Sequence, residues 1–170
     1  MPMKPTKFWG SLLTCFSVLT LLASPLSASD RAEPYLLVQT EVARGSAVHI
    51  GEGYAITAAH VINGASKIIV VSTAGTRHVA DVIAVSYEQD IALLRVRYPD
   101  KLDAIPLACD ADPPVGLEIE AHGNPRTANF VTTYGRVSSE VQEIATWKHV
   151  FLSDVRVDHG MSGGAAVSNG

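Results

Sequence analysis

Gly51-Glu52-Gly53-Tyr54-Ala55-Ile56-Thr57-Ala58-Ala59-His60 joins a glycine turn, a short β-rich run and a histidine set behind two alanines. Glycines at such a turn accept the positive φ that a tight reversal demands. The same grammar repeats on both sides. Working outward, the expected strands are Tyr35–Val42, Ser46–Ile50, Tyr54–Thr57, Ile68–Ser72, His78–Val85 and Ile91–Arg97, with Asn63-Gly64 and Ala74-Gly75 as further turns. Short apolar runs separated by turn residues point to an all-β barrel or sandwich.

A break at Tyr98–Asp103 and the proline- and acid-rich Asp110–Pro114 suit a connection more than an element interior. The chain divides accordingly into an expected first β-barrel over 29–103 and a second, partial one over 104–170. Strands in the second are expected at Ile105–Ala108, Leu117–His122, Asn129–Val141, His149–Val157 and Gly164–Val167. Asn169-Gly170 is a hairpin signal with no strand after it, so the second barrel reads as one strand short. That leaves an open sheet edge, a place for self-association. No amphipathic helix is expected beyond a short turn after His60.

Residues 1–28 read as a secretory signal: Lys4 and Lys7, an apolar stretch from Leu12 to Ala23, then Ser24-Pro25-Leu26-Ser27-Ala28-Ser29. Cleavage after Ala28 or Ser29 follows. The apolar stretch falls short of the roughly 20 residues a spanning helix needs, so no stable membrane anchor is expected and the product is exported, to the periplasm or beyond. Cys15 leaves with the signal. Cys109 then stands alone, without an intramolecular disulfide. Loss of Lys4 and Lys7 takes the charge from 13 − 17 = −4 to 11 − 17 = −6. An acidic chain without a basic run is a poor partner for nucleic acid or anionic membranes. His49, His78, His122 and His149 lack metal-ligand spacing, so neither metal nor cofactor is expected.

Chemistry gathers at three places. Ser162 lies in Gly160-Met161-Ser162-Gly163-Gly164, His60 follows Thr57-Ala58-Ala59, and Asp90 precedes Ile91-Ala92-Leu93-Leu94. A serine hydroxyl attacks only when an imidazole takes its proton, and the imidazole works only when a carboxylate fixes its tautomer. Singly, each residue also fits a plainer role: a glycine-rich loop, a packed turn histidine, an acid at a strand boundary. Their joint occurrence in the order His, Asp, Ser makes proteolysis the leading reading.

Together these motifs resemble those of the trypsin-like (chymotrypsin-fold) serine proteases, and the HtrA/Deg-type bacterial enzymes more than the digestive ones. The intervals of 30 residues from His60 to Asp90 and 72 from Asp90 to Ser162 are similar to those of the HtrA group. So are Gly45-Ser46-Ala47-Val48, Gly123-Asn124-Pro125 and Thr132-Thr133-Tyr134-Gly135-Arg136-Val137-Ser138. The resemblance implies two six-stranded β-barrels with the site between them, and polypeptide as substrate. It further implies His60 as general base and then acid, Asp90 as orienting carboxylate, Ser162 as nucleophile, and the Gly160 and Ser162 amides as the oxyanion hole. Met161 stands where digestive members place an aspartate that pairs with a newly cut amino terminus, so activation by such a cut is not expected.

The segment before the nucleophile, Asp154-Val155-Arg156-Val157-Asp158-His159, lines the primary pocket in that family. Arg156 and His159 there suit an acidic side chain, although Arg156 equally suits an ion pair with Asp154 or Asp158. The competing function, favoured by the missing strand, is a protease-like fold that binds peptides or a partner without cutting.

Overall fold

Burial alternates along Tyr54–Thr57, Ile68–Val71 and Ile91–Val96, while the middles of Tyr35–Gln39 and Arg44–Gly51 are buried on both faces. In the computed structural model, which describes residues 33–97, 102–145 and 147–168, these runs become β1 (Tyr35–Gln39), β2 (Arg44–Gly51), β3 (Tyr54–Thr57), β4 (Ile68–Val71), β5 (Arg77–Ser86) and β6 (Ile91–Val96). They close into a barrel in the order β1-β2-β3-β6-β5-β4. β4 returns to β1 through Val70↔Val38, so no edge is left open. Leu36, Val38, Ala55, Val70, Ala92 and Leu94, all fully buried, fill its interior. The turn at Gly51-Glu52-Gly53 takes positive φ at all three residues, 108°, 51° and 78°. Residues 1–28, expected as a signal, lie outside the described residues.

β1 stops at Gln39 rather than Val42. The Thr40 hydroxyl accepts the Val42 amide at 3.2 Å and the Ala43 amide at 2.8 Å, which folds the chain into the β1–β2 turn. Glu41 in that turn reaches β4, accepting the Ser66 amide at 2.9 Å and the Lys67 amide at 3.2 Å. The Ser66 hydroxyl bond and these amides hold the Glu41 carboxyl below its usual value. A depressed carboxylate stabilises the fold above its unfolded pKa, and that contribution disappears as pH falls through the folded one. Glu41→Gln is therefore expected to lower the melting temperature slightly at neutral pH and not at all in acid, below the folded titration. An equal loss at both would contradict this.

The second half departs further from expectation. Ile105–Ala108 forms no strand, because Pro106 has no N–H to give a ladder and among the described residues the segment's one backbone bond to the barrel is Ile105 N–H to His49 O at 3.1 Å. Leu102, within the expected break, is instead buried in the barrel core. The strands that do form are β7 (Glu118–Gly123), β8 (Val131–Arg136), β9 (Gln142–Ile144), β10 (Trp147–Val150) and β11 (Ala165–Val167). They make a three-stranded sheet, β11-β7-β8, and a separate β9–β10 hairpin.

Asn129–Val141 is thus shorter than expected. Phe130 takes φ 55°, and after Arg136 the chain turns to bridge Val137 to Ser153. His149–Val157 likewise ends as a strand at Val150, one residue after His149 at φ 62°. Ile119, Val137 and Val155 form a small second core. Beside it lies an open groove of about 900 Å³, lined by Leu117, Ile119, Tyr134 and Val167 among others. Among the described residues β11 pairs on one side only, with β7. The all-β expectation, a closed six-stranded barrel followed by an incomplete second sheet, holds.

Candidate active site

His60 sits in α1 (Ala59–Ile62), a single helical turn that leaves β3 through Ala58, whose side chain offers no cap. Its first amides need acceptors from elsewhere. Asp90, at the foot of β6, supplies them: its carbonyl accepts the Ala59 amide at 3.1 Å and Oδ1 accepts the His60 amide at 2.8 Å. The other carboxylate oxygen, Oδ2, lies 2.6 Å from His60 Nδ1. An ionised carboxylate only accepts, so Nδ1 carries the proton and Nε2 is the basic nitrogen. Asp90 reaches this position because its φ is 53°, a left-handed conformation in which Asp and Asn are enriched. The His60 side chain is 57% exposed and that of Asp90 20%, so the imidazole faces solvent with the carboxylate behind it.

Ser162 lies on a loop built from two successive turns, Met161 N–H to Asp158 O at 3.0 Å and Gly164 N–H to Met161 O at 2.9 Å. Burial of the Met161 side chain anchors it. Ser46 of β2 ties the loop to the barrel, its amide donating to Ser162 O at 2.8 Å and its hydroxyl to Gly160 O at 2.8 Å. Asn124, fully buried, completes the joint. Its amide N–H donates to Ser46 Oγ at 2.8 Å, its side-chain nitrogen to Leu36 O at 3.0 Å, and its Oδ1 accepts Phe130 N–H at 3.0 Å. Gly163 then packs so closely on the end of β3 that a Cβ there would stand 2.5 Å from Thr57 Oγ1 and 2.6 Å from Ala58 N. Those residues lead directly into His60.

The structure therefore joins His60 to Asp90 directly and brings the Ser162 loop against the segment that carries His60. Among the described residues the Ser162 hydroxyl has no hydrogen-bond partner, and the Gly160 and Ser162 amides donate to no acceptor. Arg156 and His159 are both exposed. The ion pair open to Arg156 is not formed among the described residues: Asp154 Oδ1 accepts the Arg136 amide at 2.5 Å and Asp158 Oδ1 the His159 amide at 2.6 Å.

The family model for the trypsin-like peptidase domain matches residues 45–170. The chain belongs to the trypsin-like peptidase family. Its relatives place it with the HtrA type. It is 33% identical over 144 residues to "Protease Do-like 1, chloroplastic" of Arabidopsis thaliana, covering 79% of this chain and 33% of that protein. It is 33% identical over 138 residues to "Periplasmic serine endoprotease DegP" of Salmonella typhimurium, covering 76% and 28%. Among solved structures, "HtrA-type protease AlgW with tripeptide" superposes with a TM-score of 0.74 at 28% identity, covering 82% of this chain and 48% of that one. The serine endoprotease from Yersinia pestis gives 0.72 at 30% identity, covering 81% and 51%. The chain spans about a third of the length of these curated relatives.

In this trypsin-like peptidase domain, sequence reasoning left Ser46, Thr57 and Asn124 without a role. Each is a polar residue, 1% exposed or less: Ser46 within β2, Thr57 at the end of β3 and Asn124 directly after β7. A buried polar side chain must be hydrogen-bonded, and that was the signal available.

Proposed function

We propose that this domain is a serine-type endopeptidase acting on polypeptides, with Ser162 as nucleophile, His60 as general base and then acid, and Asp90 as the carboxylate that orients His60. The observation that carries this reading is the double grip of Asp90 on His60, by ring and by backbone, at 2.6 and 2.8 Å. His60 Nε2 takes the Ser162 hydroxyl proton as Oγ adds to the scissile carbonyl. The oxygen becomes an oxyanion, received by the Gly160 and Ser162 amides. His60 then passes its proton to the leaving nitrogen as the C–N bond breaks, which leaves an ester on Ser162. Water, deprotonated by His60, adds to that ester, and collapse returns the proton to Oγ and releases the acid.

Arg156 and His159, both exposed, belong to this proposal as groups that favour an acidic side chain next to the cut bond. Export to the periplasm or beyond, with 1–28 as the signal, belongs to it too, in keeping with relatives named as periplasmic. So does the division into a first barrel over 29–103 and a partial second one over 104–170.

The test is hydrolysis of unfolded protein by the purified chain. Ser162→Ala is expected to abolish it without loss of the folded melting transition, and undiminished turnover by that variant would overturn the assignment. The side of β11 that is unpaired among the described residues leads to a further expectation, concentration-dependent self-association of this 170-residue chain in sedimentation velocity; a single monomer boundary at all loadings would contradict it.

A further inference from the structure

The β1–β2 turn and the beginnings of β4 and β5 enclose an open cleft of about 540 Å³, lined by Gln39, Glu41, Arg44, Ser66, Lys67 and Arg77 among others. Three of these residues are cations in a chain of net charge −4. None of the three is neutralised by a carboxylate among the described residues. Arg44 Nη2 donates to the Asn129 side-chain oxygen and to Ala128 O, and Arg77 Nη1 donates to Gln39 Oε1 at 2.9 Å. The Lys67 ammonium has no partner among the described residues. Outside the cleft Arg97 pairs with Asp81, Arg136 with Glu118 and Lys148 with Glu88, and Arg95 lies over the Tyr54 ring.

Glu41 is the one acid among the lining residues, and Oε1 is turned onto the Ser66 amide, the Ser66 hydroxyl and the Lys67 amide. Three positive charges less one negative leave two uncompensated. Arg44 Nε is moreover buried without an acceptor, so the guanidinium is held in place with donor capacity unfilled.

The cleft is next to the Ser162 loop. Arg44 stands two residues before Ser46, whose amide holds Ser162 O at 2.8 Å. At about 3.3 Å per strand residue, the cleft begins roughly 7 Å from that attachment. Gly45, between them, has its Cβ position 3.2 Å from Ser162 O.

We infer that this cleft receives an acidic stretch of polypeptide, Asp or Glu residues flanking the bond to be cut. It thereby selects which chains are held at the Ser162 loop. The consequence for catalysis rests on the peptidase reading; the binding does not. Two net charges facing a run of carboxylates act at the exposed surface, so the preference is steep in salt and modest in size.

The experiment measures anisotropy of fluorescein-labelled hexaglutamate and hexaglutamine with the full chain carrying Ser162→Ala, which holds peptide without turnover. Hexaglutamate is expected to bind about tenfold tighter at low ionic strength. Lys67→Glu with Arg77→Glu, both at exposed positions, abolishes the difference, and Lys148→Glu, outside the cleft, leaves it. Equal affinity for the two peptides, a preference unchanged in the double variant, or tighter binding of an oligonucleotide than of hexaglutamate would overturn the inference. Hydrolysis by the Ser162 chain of a peptide flanked by glutamates is measured separately. Binding without hydrolysis rejects the peptidase reading and leaves the cleft standing.

Discussion

Asp90→Asn is expected to lower kcat by about four orders of magnitude while leaving the chain folded. The amide keeps an oxygen for the His60 backbone N–H, which Oδ1 now accepts at 2.8 Å. It also tolerates the φ of 53° at this position, since asparagine shares the left-handed preference of aspartate. What changes is the second atom. An NH₂ group 2.6 Å from Nδ1 donates where the carboxylate accepted, so the ring must place its proton on Nε2 and loses its basic nitrogen on the Ser162 side. Asp90→Ala is a different experiment. It removes both contacts, leaves the His60 amide to solvent and strains the backbone, at about 0.5–2 kcal/mol for the lost cap alone. Asn that inactivates at unchanged melting temperature, beside Ala that inactivates and destabilises, separates the chemical task of the carboxylate from its capping task. Near-normal turnover by the Asn variant would deny Asp90 any part in the chemistry.

Gly163→Ala is expected to destabilise by about 3 kcal/mol or more and to abolish activity. Its φ is 81°, and an added Cβ would stand 2.4 Å from Ser46 O, 2.5 Å from Thr57 Oγ1 and 2.6 Å from Ala58 N. Two of those atoms are backbone of β2 and of the lead into α1, so relief requires the Ser162 loop to leave the barrel. Gly164→Ala meets His122 O at 2.1 Å and shares this fate. Gly64→Ala and Gly75→Ala are the controls, with φ of 75° and 82° and nothing within 4 Å of the added carbon. They carry the conformational cost alone, about 1–2 kcal/mol. Similar losses at all four positions, read from thermal melts, would mean that crowding against the barrel is not what fixes the loop.

These two sites show why the first half of the chain was legible and the second was not. Strands from Tyr35 to Val96 follow local rules: short apolar, β-rich runs, with Gly51, Gly53, Gly64 and Gly75 each at positive φ where a turn is expected. Six strands were readable because each carried its own signal. In the second half, Gln142-Glu143-Ile144 is exposed at every position, so β9 has no alternation to announce it. Ile105–Ala108 carried an apolar signal that Pro106 and the lack of a partner strand cancelled. Of the site, residue types and order were visible, since Asp90 at a strand start and His60 behind a strand end are local facts. The Ser46–Asn124 joint was not. It depends on two residues 78 positions apart meeting inside the protein, at 2.8 Å from the Asn124 amide to Ser46 Oγ, and no local pattern encodes that meeting.

The central claim is that Ser162 is activated by His60 held on Asp90. A fluorophosphonate reports it directly, because phosphonylation needs an activated hydroxyl but no particular substrate sequence. The full chain should acquire one adduct per molecule, mapped by peptide mass to Ser162, at a rate that falls steeply in His60→Ala and in Asp90→Asn and reaches zero in Ser162→Ala. An adduct on Ser46 or Ser168 instead, or a labelling rate indifferent to His60, would contradict the account.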